Sequence, residues 1–511
     1  MNVRAKKIVL LLLAAALLAV SGRLQQSLNR DRDQLGLTRA SALTDAPPLL
    51  AFTTVALGGF RGLISNYLWI RANDLQIDDK YFEAAQLADW ITDLEPHFTQ
   101  VWSFQAWNMA YNISVKFKDF PDRWQWVERG IELLRDRGLR YNPNDILLYN
   151  ALAWFFQHKI GQNLDDANLY YKQQWAQEMM PFFGPNGTNF SELIQPQTAE
   201  AVARMQLFTN KYKLDPVFAE KVNAQYGPLD WRLPEAHAIY WGALGLEKAE
   251  QYPDKTKTED LITVRRNIYQ SMLQAFSHGR YIANPFNGSY ELGPNLELVS
   301  RVNATYETML VGDPKFTNNI ATAHRNFLRQ AVYFLYENNR VAEAAKWFQY
   351  LGEKYPGKPI IDSDPTSFPR NVTLDQYAMA VVQGDINETS PDRVTSAVQG
   401  LLTRSYYELV LGQDDRFNGY QALARKIYGR YQSEISDLKS TQQRIPLPPF
   451  ADINRSVLDR LLDPQQGAPF AARAIIRSQL RMPAETNAPP ETEVTNAPAA
   501  TNAPAANPAG K

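Results

Sequence analysis

The chain has 511 residues, 45% of them hydrophobic, enough to bury the cores of two or three domains or of one long repeat array. Its 53 Lys and Arg offset 54 Asp and Glu, which excludes a strongly basic nucleic-acid binder. Cysteine is absent, which excludes disulfides, cysteine-bound zinc, iron–sulfur clusters and thiol nucleophiles.

The N-terminus reads as a targeting segment. Arg4, Lys6 and Lys7 precede an uninterrupted apolar run from Ile8 to Val20. Basic residues before such a run stay on the cytoplasmic side and direct the rest of the chain across the membrane. The 13-residue run is short against the ~20 residues of a membrane span and suits a signal-peptide core. If Lys6 and Lys7 snorkel, residues 1–22 also serve as an uncleaved anchor. Both readings, cleaved signal and signal anchor, place the body outside the cytoplasm. Without residues 1–22 the body is mildly acidic and still cysteine-free. That suits the envelope of a bacterium, with the chain at the inner membrane and its body facing the periplasm, or released there after cleavage.

Residues 23–62 read as a linker followed by an apolar stretch, Leu49 to Phe60, too short to span and broken by Gly58-Gly59. The helical period then becomes clear. Ile64, Leu68, Ala72 and Leu75 share one face of a helix. Asp78-Asp79-Lys80 makes a polar turn, and Ala84, Leu87, Ala88 and Ile91 form the stripe of a second helix that Pro96 ends. The pair predicts a helical hairpin. The pattern returns late in the chain: Leu328, Val332 and Leu335, a turn at Asn338-Asn339, then Ala344, Phe348 and Leu351, and Pro356. Glu83-Ala84-Ala85 and Glu343-Ala344-Ala345 occupy matching places. Between them a partial copy opens at Trp102 with Ala106 and closes at Pro143, and Tyr149 and Ala153 begin another helix. More degenerate pairs fall at 234–279 and 393–431.

These units resemble the tetratricopeptide repeat, with a small residue in the first helix, Ala-x3-aromatic in the second and a terminating proline. Ala88 departs from that pattern, standing where the late copy has Phe348. The resemblance implies an all-α, right-handed α-solenoid of TPR-like hairpins with irregular insertions. Its parts would be N-terminal repeats at 63–160, an irregular helical region at 161–320, C-terminal repeats at 321–462 and a terminal helix at 463–481. From 482 to 511, Thr-Asn-Ala-Pro recurs with no large apolar residue to support a core, the composition of a disordered extension.

Catalytic spacing is missing. The five histidines are scattered, and no H-E-x-x-H, G-x-S-x-G or calcium-loop pattern occurs. Asp78-Asp79, Asp165-Asp166 and Asp414-Asp415 fall in turns, where aspartate is expected to cap the next helix. The densest polar patch is Tyr226 to His237. There Pro234 and Glu235 suit the start of a helix, with Trp231 packed beneath it.

Two functional classes fit these features. A binding scaffold would present its first-helix residues to a protein or peptide: Asn66, Trp69 and Asn73, then Ser103 and Trp107, then Arg329, Tyr333 and Tyr336. It needs no cofactor and no nucleic acid, and it touches the membrane through its N-terminal segment. The alternative is an α/α toroid that processes carbohydrate with paired carboxylates, Asp230 and Glu235 near His237.

Overall fold

A computed structural model of the chain describes residues 16–17, 20–28, 30–31 and 60–485, apart from 185–186, 254–255, 284–289, 313, 362–363, 384–390, 438–446 and 466. The apolar run Ile8–Val20, the stretch from Leu49 and the Thr-Asn-Ala-Pro tail lie wholly or mostly outside the described residues. Among those described, no helix is long and apolar enough to cross a membrane. The protein is mostly helical, as its 3.6-residue periodicity predicts. It divides into two compact units, residues 1–282 with 290–324, and residues 283–289 with 325–511.

The first unit opens with helices α1 (Phe60–Ile77) and α2 (Tyr81–Leu94), packed as the predicted hairpin. Ala84, Ala88 and Ile91 on α2 are fully buried. Then comes α3 (Thr99–Trp107), which continues as a π-helical segment, Asn108–Ile113. Its partner α4 (Phe120–Glu132) also becomes π-helical, at Leu133–Gly138. Next stands α5 (Ile146–Trp154), prolonged by a third π-helical segment, Phe155–Ile160. In sequence order, α2 packs on α3, α3 on α4, and α3 and the end of α4 on α5.

The region read as irregular and helical contains α6 (Asn168–Phe183), α7 (Ala199–Asn210), α8 (Pro216–Tyr226), α9 (Pro234–Gln251), α10 (Thr258–His278) and α11 (Val299–Gly312). It also holds a two-stranded sheet that periodicity did not indicate, β1 (Arg280–Ala283) with β2 (Tyr290–Gly293). Helix α9 packs on both α5 and α10. Two glycines make that approach possible. A Cβ on Gly242 would stand 2.7 Å from Ile268 Cγ1, and one on Gly245 2.9 Å from Tyr149 Cβ. Bulky aromatics close the remaining space, with Trp102, Trp231, Phe156 and Phe183 buried.

Helix α12 (Thr317–Glu337) contributes its first residues to the first unit and the rest to the second. The second unit continues with α13 (Val341–Lys354), α14 (Leu374–Gln383), α15 (Pro391–Val410), α16 (Asp414–Asp437), α17 (Phe450–Leu461) and α18 (Phe470–Gln479). Helices α16, α17 and α18 all pack on α15. Arg473 on α18 donates to both Glu485 oxygens at 2.9 and 2.8 Å. The described start of the expected tail, residues 482–485, is therefore tied to the helix.

The same turn joins three pairs of successive helices, and it also follows α18, where Arg481 adopts φ 54° and Met482 N–H donates to Arg477 O at 2.8 Å. After α1, Asp79 adopts φ 60°, and Lys80 N–H donates to Leu75 O at 2.7 Å. After α12, Asn339 adopts φ 59°, and Arg340 N–H donates to Leu335 O at 2.8 Å. After α15, Gly412 adopts φ 68°, and Gln413 N–H donates to Glu408 O at 2.8 Å. Each is a left-handed C-terminal cap that satisfies orphan carbonyls and reverses the chain. This corrects the expectation that Asp78-Asp79 caps the following helix. Asp79 fills the left-handed position, and Lys80, the residue before α2, makes no side-chain cap. Side-chain capping falls instead to Asp145, Thr198 and Asp215, which accept from the second or third N–H of α5, α7 and α8.

Candidate binding face on the first helices

The residues expected to line a binding face have different surroundings. On α1, Asn66 and Asn73 are exposed, whereas Trp69 packs its ring on Phe104 at 4.8 Å and on Phe98 at 6.3 Å, between successive hairpins. On α3, Ser103 and Trp107 are half-buried, one turn apart on the same face.

In the second unit, Arg329 and Tyr333 are half-buried, and the Arg329 carbonyl accepts from Tyr377 Oη at 2.8 Å. Burial raises the Tyr333 hydroxyl above its usual range, and nearby Glu337 adds to the shift. Tyr336 does not belong to an exposed row. It is 4% exposed, its hydroxyl donates to Asp375 at 2.6 Å, and Lys426 hydrogen-bonds to that hydroxyl from over the ring. The hydrogen bonds from Lys426, then Tyr336, hold Asp375 below the usual carboxylate range. A helical period locates a face. It does not show that a later helix, here α14 or α16, covers one residue of it.

Around Trp107 the geometry supplies what single residues did not suggest. Trp107 stacks on Tyr111 (6.0 Å, 18°), Tyr111 on Trp154 (5.1 Å, 24°), and Trp154 on His158 (4.4 Å, 16°). All four rings are half-buried, so a layer of π faces runs from α3 to α5 with edges in water. In both helices the pair is i and i+4, and it straddles the start of the π-helical segment. Such segments are uncommon and concentrate at functional sites. The matching spacing, Trp-x3-Tyr and Trp-x3-His, is visible in the sequence once the two helices are known to be neighbours.

The stack is also wired. Tyr111 Oη and His158 Nδ1 share a hydrogen bond of 2.9 Å, whose direction is set by the imidazole tautomer. Burial, then the Lys159 charge, keeps His158 below its ordinary pKa, which favours the neutral ring. Lys159 lies 5.0 Å from the Tyr111 ring centroid and pairs with Asp165 at 2.7 Å. The arrangement can stack a planar or aliphatic group and hydrogen-bond a polar one beside it.

The polar patch from Tyr226 to His237 has a different role. Asp230 accepts from Arg232 Nε (2.8 Å) and Nη2 (2.6 Å), from Arg232 N–H (3.1 Å) and from Tyr281 N–H (3.0 Å). Those four donors fill a carboxylate's acceptor capacity, so Asp230 locks the loop to β1 and has no site left for an acid/base role. His237 is 0% exposed, with Nε2 hydrogen-bonded to the Trp231 carbonyl at 2.9 Å. Glu235 starts α9 as expected, is 2% exposed, and lies 3.3 Å from His278 Nε2. Asp230 and Glu235 therefore have separate partners, Arg232 with Tyr281 for the one and His278 for the other. Among the described residues, no three His, Asp or Glu side chains converge to hold a metal.

No family model, curated protein or solved structure matches the chain.

Proposed function

We propose that the chain is a protein-binding scaffold, a solenoid of TPR-like hairpins held at a bacterial inner membrane by residues 1–22 with its body in the periplasm. The observation that carries the binding role is the half-exposed stack Trp107–Tyr111–Trp154–His158, which joins α3 to α5. Rigid aromatic rings with one wet edge give contact area at small entropic cost and dominate binding hot spots. The exposed Asn66 and Asn73 on α1 add side-chain amides that pair with the backbone of an extended segment. The left-handed turns support the repeat reading, since one local rule reverses the chain in α1–α2, α12–α13 and α15–α16.

The test is site-specific photo-crosslinking in cells, with the crosslinker at Trp154 or, as control, at the exposed Glu83 on α2. A partner captured from position 154 and not from 83 is expected. A peptide from that partner should bind the purified chain. Trp107→Ala and Trp154→Ala should each weaken it by ~2 kcal/mol, about 30-fold, with an unchanged circular dichroism spectrum. Equal capture at both positions, or peptide binding indifferent to both substitutions, removes the stack from the function.

A further inference from the structure

Away from the stack, the first unit contains a cavity of about 430 Å³ between α10, α11 and the start of α12. That size falls within the range of small-molecule sites. Tyr306 and Ile320 form a buried floor, and Tyr269, Leu273 and Met309 line its walls. Gln270, Asn319 and Ala323 are exposed, so the rim reaches water.

One charged group, Arg266, lines this space. Its guanidinium lies 4.4 Å from the centroid of Phe316, which is 42% exposed at the mouth. Among the described residues no carboxylate pairs with Arg266 within 4.0 Å. Elsewhere in the unit several cations near rings have acidic partners, as Lys159 has Asp165 and Arg232 has Asp230, while Arg129 over Trp126 does not line this cavity. The aromatic face steadies the Arg266 cation without neutralising it. The planar fork is left with donors that suit a carboxylate.

From this juxtaposition we infer that the cavity binds a free amphiphilic carboxylate, its hydrocarbon part among Leu273, Tyr306 and Ile320 and its head on Arg266. The wall has no acid to repel the head, and its apolar side chains give a polar body little to pair with. This site is independent of the aromatic stack, and either can fail without the other.

The experiment is calorimetric titration of the full-length chain with decanoate below its micelle concentration, beside decanol and decyl phosphate. Decanoate should bind at one site, and Arg266→Gln should weaken it about tenfold or more while leaving decanol unchanged. Arg265→Gln, which removes the neighbouring exposed charge, should have no effect. Leu273→Trp, which fills the cavity, should abolish both ligands, and Arg266→Lys should recover part of the affinity. Each variant is first checked for the wild-type melting curve. No decanoate binding, equal losses in Arg265→Gln and Arg266→Gln, or survival of binding in a folded Leu273→Trp overturns the inference. Tighter binding of decyl phosphate than of decanoate also overturns it, because the head group would then be a lipid-like phosphate.

Discussion

His237 is where a single side chain sets a property of the fold. It stands one turn into α9 with nothing of its ring in water, between the rings of Trp175, Phe156 and Trp231. Burial pushes its pKa down to about 4, and the hydrogen bond to the Trp231 carbonyl offsets only part of that. The ordinary value is about 6.5, so the unfolded chain takes up this proton before the folded one does. Stability is therefore unaffected above about pH 6.5, falls as pH drops from there to about 4, and levels off once the folded imidazole is also charged. The whole window is worth about 3 kcal/mol. Denaturant unfolding from pH 7 to pH 4 should show that loss in the wild-type chain. His237→Gln keeps a donor for Trp231 and has no proton to gain, so its slope should be smaller by up to one proton. Equal slopes would show that His237 does not carry the acid sensitivity. The sequence marked His237 as part of a polar patch and left two readings open. Its burial comes from aromatics on or just after α5 and on α6, distant in sequence, which the patch itself does not show.

Among the elements, the turns and helices repeat by rules that differ in how legible they are. The hairpins α1–α2 and α12–α13 could be read from the sequence because their buried stripes recur at helical spacing, and Ala84 and Ala344 are both fully buried. The pairs expected at 234–279 and 393–431 exist as α9–α10 and α15–α16. Two features escaped. The β1–β2 ribbon is four residues per strand, too short for a period-2 pattern. The π-helical segments leave no trace in composition, because one inserted residue changes register and not residue type. Of the binding face, Ser103 and Trp107 were legible, while Tyr111, Trp154 and His158 were not, since their stacking joins helices 47 residues apart. The repeated left-handed turn yields its own prediction. Gly412 has open space around its Cβ position, so Gly412→Ala meets only the backbone cost of φ 68°. That substitution should destabilise the second unit by about 1 kcal/mol. Asn339→Gly, in the equivalent position at φ 59°, should cost nothing, because glycine removes the Cβ strain. Chemical denaturation of the two variants tests whether the three turns share one geometry; a costly Asn339→Gly would show that its side chain is needed for something else.

For the whole molecule the division into two units has a thermodynamic consequence. Each unit has its own buried cluster: Trp102, Phe156, Phe183 and Trp231 in one, Leu335, Leu351, Leu402 and Leu423 in the other. The boundary lies between His324 and Arg325. Of the 11 tryptophans, Trp347 alone lies in the second unit. Tryptophan fluorescence therefore reports mainly on the first unit, while far-ultraviolet circular dichroism reports on both. Ala344 is fully buried on α13, where extra volume has nowhere to go, so Ala344→Leu should overpack the second unit and cost it about 1–3 kcal/mol. In that variant the fluorescence midpoint should stay at its wild-type temperature, while the dichroism curve gains an earlier step. Probes that part company in this way signal two cooperative units. Coincident curves, shifted together, would mean that the two clusters unfold as one and that the division has no energetic meaning.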